Sequence, residues 1–192
     1  MERFAIVGFG CAGYHALKAI REAGCGAQVD VYTDTALPPY NPMLTTYYVK
    51  GKIPYEGLFP FGTMEQLKQQ MQFTCYSACP VDRVDLPSKR VCLADGTSRT
   101  YDRILISTGA RAFVPPVGQL PAQRVFAMRT VEDAVRLKEA LEKGTLRRVL
   151  VVGASMVGIK IVELLAERDI QVVFSDLADH IFSAAAFEGT SL

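Results

Sequence analysis

The chain has 192 residues, 49% of them hydrophobic, with 21 basic against 20 acidic side chains and a formal net charge of +1. That length allows one large domain or two small ones with an ordinary packed core. Charges so balanced, scattered without long blocks, leave no electrostatic footprint for nucleic acid or a membrane surface.

No run approaches the roughly 18 apolar residues that span a bilayer. The start MERFAIVGFG lacks the basic region, apolar stretch and cleavage site of a secretory leader, so a cytoplasmic location is expected. Five cysteines, Cys11, Cys25, Cys75, Cys79 and Cys92, are odd in number and irregular in spacing, unlike a secreted disulfide framework. Cys75 and Cys79 form CxxxC with no histidine nearby. They read as packed thiols in preference to a zinc site or redox pair, and no metal is expected.

In chain order, RFAIVG reads as a buried strand running into GCAGYHALKAIREAG. There Ala12, Ala16, Leu17 and Ile20 keep helical spacing and Gly24 is a stop signal. AQVDVYTD alternates as a second strand and ends in an acid, completing a βαβ unit in about thirty residues. The connection TALPPYNPMLTTYYVKGKIPYEGLFPFG is far longer than usual, which points to function. MEQLKQQM predicts a short helix, and the segment around the ADGT turn predicts small antiparallel strands before a buried strand at RILIST. After the proline-rich ARAFVPPVGQLP, Thr130 and Asp133 form a capping pair for a helix lined by Val131, Ala134, Leu137 and Leu141. RRVLVVGASMVGIKIVELLAERDIQVVFSD then repeats strand, turn, helix, strand, and again ends in an acid. The pattern predicts an α/β fold with two Rossmann-like dinucleotide-binding units.

The chemistry of such a turn explains its residues. One glycine permits the bend, a second lets backbone approach a pyrophosphate, and a third lets helix pack on strand, while the helix N-terminus offers N–H groups to the anion. Gly8, Gly10 and Gly13, with Cys11 and Ala12 between them, supply the whole set. At the end of the second strand Thr33 is in phase and the carboxylate follows at Asp34, read either as a ribose ligand or as a solvated turn residue. The second turn holds Gly153, Met156, Val157 and Gly158, with Ser155 where the middle glycine would stand. Its acid, Asp176, is in phase and favours NADH over NADPH.

The order of these pieces resembles the two-dinucleotide flavoproteins, the class I pyridine nucleotide-disulfide oxidoreductases and their relatives. The resemblance rests on GFGCAG, on YDRILISTGARAFVPP and on VVGASMVGIKIVELLAERDIQVVFSD, which together span nearly the whole chain. It implies that the first unit, 1–115, binds FAD, that Thr108 and Gly109 cross back near the flavin, and that an incomplete second unit, 116–192, brings NAD(P)H to the flavin for hydride transfer. PPYNPMLTTYYVKGKI is similar to the flavin-side loop of the NADH oxidase, coenzyme A-disulfide reductase and ferredoxin or nitrite reductase branches, which places Pro42 and Met43 at the cofactor. Met43 stands roughly where a redox cysteine would fall, and a thioether forms no mixed disulfide, so electrons are expected to pass to an external small-molecule or protein acceptor. The alternative reading of this stretch is a connector without cofactor contact. Lys160 occupies the place of a family glutamate near the nicotinamide and is read either as solvated or as the partner of a carboxylate or phosphate.

The sequence ends with HIFSAAAFEGTSL directly after the second unit's second strand. The resemblance implies further NAD-unit strands, a second FAD segment and a dimerisation domain beyond that point. The chain is therefore read as the N-terminal part of a flavoprotein, truncated or completed by another chain, and as an oligomer or a subunit. No catalytic acid or base is assigned; His15 and His180 read as structural or exposed.

Overall fold

A computed structural model describes residues 1–116 and 120–178. The chain divides into two compact units, residues 1–41 with 59–111 and residues 42–58 with 112–192.

The first unit is built on a parallel sheet of order β3-β2-β1-β7, from β1 (Arg3–Val7), β2 (Gln28–Tyr32), β3 (Thr74–Tyr76) and β7 (Arg103–Ile106). The run FAIV is apolar on both faces because both faces are covered. On one side Ile6, Val29 and Val31 meet Leu17 of α1 (Cys11–Glu22) and Met64, Leu67 and Met71 of α3 (Met64–Met71). On the other, Ala5, Val7 and Tyr32 pack with Val91 and Tyr101 beside an antiparallel meander of β4 (Val81–Asp85), β5 (Arg90–Leu93) and β6 (Ser98–Thr100). The short helix predicted at MEQLKQQM and the strands around ADGT are thus present. Thr63 and Gln66 close a capping box at the start of α3. Arg21, at the end of α1, donates to the carbonyls of Met71, Gln72, Cys25 and Ala27, and so ties the two helix ends together.

Beneath the meander lies a buried polar chain. Tyr101 donates to Asp30 at 2.8 Å, Tyr32 and Tyr101 share a 2.5 Å hydroxyl contact, and Arg3 reaches Asp30 at 3.1 Å. Asp30 is 1% exposed, and a buried carboxylate persists only when paired in this way.

In the second unit β8 (Arg148–Val152) and β9 (Gln171–Ser175) pair in parallel. One face of this ribbon is covered by α4 (Val131–Glu142) and α5 (Met156–Ala166), through Ala134, Leu137, Leu141, Val151, Leu164 and Leu165. Thr130 accepts from the Asp133 N–H and Asp133 returns the bond, forming the expected capping box. The same core contains Val49, fully buried, from α2 (Thr45–Val49). The segment 42–58 therefore leaves the first unit's chain and packs as part of the second.

Candidate functional site

The two glycine turns share one construction. Gly8 donates its N–H to the Tyr32 carbonyl at 2.8 Å, and Gly153 donates to the Ser175 carbonyl at the same distance. Both carry a positive φ, +95° and +106°, which a side chain rarely tolerates. In each unit the third glycine is where helix meets strand. A Cβ on Gly13 would sit on the Gly8 carbonyl oxygen, and one on Gly158 would sit on the Gly153 carbonyl oxygen. Each strand end therefore anchors its turn, and each helix starts against the turn it serves.

They differ at the middle position. Gly10 has open space where a Cβ would be, and no side chain caps the start of α1. The first-turn N–H groups of that helix thus have no side-chain acceptor and no acidic neighbour, a setting that suits a pyrophosphate. Cys11 and Ala12 open the helix and are exposed. At the second turn Ser155 caps α5 by accepting the Gly158 N–H at 3.3 Å. The Ser155 hydroxyl retains its own hydrogen, so the residue can donate to a phosphate while capping. Met156 and Val157 follow, 57% and 41% exposed.

The acids differ too. Asp176 accepts from the backbone N–H groups of Ala178, at 2.8 Å, and of Ala154 inside the turn itself. These bonds hold its carboxyl below the usual range. Asp34 is exposed just past β2, whereas Thr33, the in-phase residue, is buried with its N–H on the Tyr76 carbonyl at 3.1 Å. Asp176 is thus built into its turn and Asp34 stands outside the strand.

The first turn also meets the segment after β7. Ser107 donates from its hydroxyl to the Gly8 carbonyl at 2.7 Å and from its N–H to the Val7 carbonyl at 2.7 Å. The Thr108 Cα lies 2.8 Å from the place of a Gly8 Cβ, so Thr108 is brought against the glycine turn, with Gly109 next in the chain. Sequence reasoning named Thr108 and Gly109 but missed Ser107, the residue that makes the contact. Its signal was a small hydroxyl at the end of the apolar run ILIS.

Pro42 and Met43 open the segment that packs with the second unit, where Thr45 donates to the Pro42 carbonyl at 2.7 Å. Met43 is 58% exposed. Lys160, left open as solvated or as an anion partner, lies over the Tyr47 ring with its Nζ 5.7 Å from the centroid. His15 is exposed and packs edge-on to Tyr14 and Phe61; His180 lies outside the described residues. Cys75, Cys79 and the other three cysteines are free thiols, and no cluster of three metal-ligating side chains occurs among the described residues. No described helix is long and apolar enough to cross a membrane.

Comparison with known proteins decides the lineage. Residues 2–188 match the family described as pyridine nucleotide-disulphide oxidoreductase. The chain belongs to this family. Among curated members it is 26% identical to the NADH-dependent phenylglyoxylate dehydrogenase subunit epsilon of Aromatoleum evansii, covering 94% of this chain and 42% of that protein. It is likewise 26% identical to the NADH oxidase of Methanocaldococcus jannaschii, covering 93% and 41%. A solved structure, the covalent putidaredoxin reductase–putidaredoxin complex, superposes with a TM-score of 0.86 at 23% identity over 97% of this chain and 45% of that one. The chain thus has the oxidoreductase fold over nearly all its residues and spans about two fifths of the length of these relatives. Within that fold the chain presents two glycine turns of the same construction.

Proposed function

We propose that this chain forms the nucleotide-binding part of an FAD-dependent NADH oxidoreductase. The single observation that carries the reading is the duplicated turn: two glycine bends with the same strand-end bond, each opening a helix within one short chain. FAD is assigned to the first turn, with Gly8, Gly10, Cys11, Ala12 and Gly13 at the pyrophosphate and Asp34 toward the ribose. Thr108 and Gly109 are assigned to the flavin side, as are Pro42 and Met43 at the head of segment 42–58. NADH is assigned to the second, with Gly153, Ser155, Met156, Val157 and Gly158 at the pyrophosphate and Asp176 at the adenosine ribose, where an ionised carboxylate repels the extra phosphate of NADPH.

Bound FAD would supply the hydride-accepting ring and NADH the hydride. The protein's part is to bind and orient. The bare start of α1 would offer N–H groups to one pyrophosphate and the Ser155 hydroxyl, which accepts from the Gly158 N–H, would donate to the other, while Ser107 fixes the first turn against β7. The names of the relatives extend the reading to a small-molecule or protein acceptor, with the partner protein of putidaredoxin type as one example. A cytoplasmic setting and assembly with a second copy or a completing chain belong to the same proposal.

A second reading has its own support. Ser155 stands in place of the middle glycine and Lys160 in place of the family glutamate, which suits a binding remnant or a subunit of a divided enzyme that does not turn over alone. The visible spectrum of the purified chain, before and after anaerobic NADH, separates the two. A flavin spectrum that bleaches supports the oxidoreductase; one that stays unbleached supports the remnant or subunit. A colourless chain that takes up no added FAD sinks the assignment of the first turn.

A further inference from the structure

Segment 42–58 interrupts the first unit in sequence yet is built into the second, and a line of charged side chains holds it there. Lys50, whose side chain is only 15% exposed, places Nζ 2.8 Å from Glu163 and 3.5 Å from Glu167. One residue earlier, the Val49 carbonyl accepts from Arg168 at 3.2 Å while its side chain is fully buried in the core. Nearer the turn, Lys160 covers Tyr47, and on the α4 side Lys138 covers Tyr48 at 4.2 Å.

Lys160 and Glu163 of α5 and Glu167, its C-cap, are spaced i, i+3, i+7 and so form one stripe that meets Tyr47 and Lys50. Glu163 and Glu167 are like charges one turn apart, an unfavourable pair that the ammonium between them offsets. The other end of α5 is pinned differently, by close approach of Gly158 to the Gly153 carbonyl. A helix pivoted at its first turn, packed through Leu164 and Leu165 and clamped near its last turn has its axis, and therefore the aim of its N-terminal N–H groups, held by the core and the clamp together.

We infer that Lys50 is a positioning residue for the second dinucleotide turn, acting through α5 and touching no nucleotide. The inference deepens the proposed function and rests on it for the identity of the nucleotide. It also makes α2 the mechanical link between that turn and Pro42 and Met43, which head the same segment.

Hydrogen exchange read by mass spectrometry on the full chain, with NADH binding followed by nucleotide fluorescence, tests it. Lys50→Met keeps an apolar stem and removes the charge; Lys50→Arg restores a cation. Peptides covering 153–160 are expected to exchange faster in Lys50→Met with those covering 3–32 unchanged, and Lys50→Arg should recover most of the protection. NADH affinity should weaken about three- to thirtyfold in Lys50→Met, the range for residues coupled to a site without touching it. Glu163→Gln combined with Glu167→Gln removes the clamp from the other side and should reproduce the exchange pattern, even if Lys50→Met proves too unstable to study. Faster exchange confined to 42–58, with 153–160 protected and NADH affinity unchanged, overturns the inference, because Lys50 would then fasten only its own short helix. Failure of the wild-type chain to bind NADH sinks the proposed function instead, and the exchange of 153–160 still decides the role of Lys50.

Discussion

Three glycines in the first turn have three different physical tasks, and substitution separates them. Ala at Gly10, the N-cap, meets open space, so stability should fall by no more than about 1 kcal/mol, the usual cost of alanine at a helix start, while flavin uptake falls as the new methyl enters the proposed phosphate approach. Ala at Gly13 is forced onto the Gly8 carbonyl and should cost about 1–3 kcal/mol of stability with or without cofactor. Thermal unfolding paired with flavin absorbance distinguishes them, and equal loss of stability in both variants would contradict this division. Asp176 makes a pH prediction of definite sign. Its folded carboxyl sits below the usual value because the Ala178 and Ala154 N–H groups bond the anion. The stabilisation is present above the unfolded value of 3.8 and disappears as pH falls through the lower, folded one. Asp176→Asn should therefore be less stable than wild type at pH 7, with the gap closing in acid below 3.8; a gap that persists there, in denaturant melts, would refute the account.

Among the elements, the meander depends on the phenol chain beneath it. Burial raises both the Tyr101 and Tyr32 hydroxyls above the ordinary phenol value of 10.0, and takes Tyr101 far above it. Above pH 10 the unfolded tyrosines ionise and the folded Tyr101 does not, so stability falls as pH rises. Tyr101→Phe should cost about 1–3 kcal/mol at pH 7, since it removes the hydroxyl that bonds Tyr32 and one of the two donors to Asp30, leaving Arg3 as the other, and should flatten the decline above pH 10. Denaturant midpoints across pH 8 to about 11 measure both effects. Most elements were legible. The 3.6-residue spacing of α1 and α4, the Thr130 cap and the alternation around ADGT are local signals, and those elements form where they were read. α2 was not legible, because five residues such as TTYYV have no helix stability of their own and two are β-branched threonines. It exists because Val49 is buried, Lys50 pairs with Glu163 of α5, and Arg168 just beyond that helix donates to the Val49 carbonyl, both contacts across more than a hundred positions of chain.

At the scale of the molecule, the β8–β9 ribbon has one face covered and, among the described residues, one face exposed. Leu150 and Val173 are register partners on the uncovered side of the β8–β9 ribbon, 58% and 39% exposed, with Val152 beside them at 53%. A contiguous apolar surface of this kind promotes association in solution. Replacing Leu150 and Val152 by Thr keeps β-propensity and should lower light scattering at high concentration, while each change moves stability by no more than about 0.5 kcal/mol. Unchanged scattering would place the source of any self-association elsewhere.

By itself the sequence determined the two-turn plan and the family, because glycine spacing, strand periodicity and terminal acids act over a few residues and leave a local record. Of the glycines it marked, Gly8 and Gly153 have the positive φ of a tight bend and Gly13 and Gly158 lie against the carbonyls of those bends, while Gly10 faces open space. Only the tertiary structure decided that Ser107 braces the first turn, that Asp34 and Asp176 are held differently, and that segment 42–58 packs with the second unit. Those outcomes depend on carbonyls, buried side chains and charges that meet across 22 to 119 positions of chain. Pairing at that separation is set by how the elements pack, and no run of neighbouring residues encodes it.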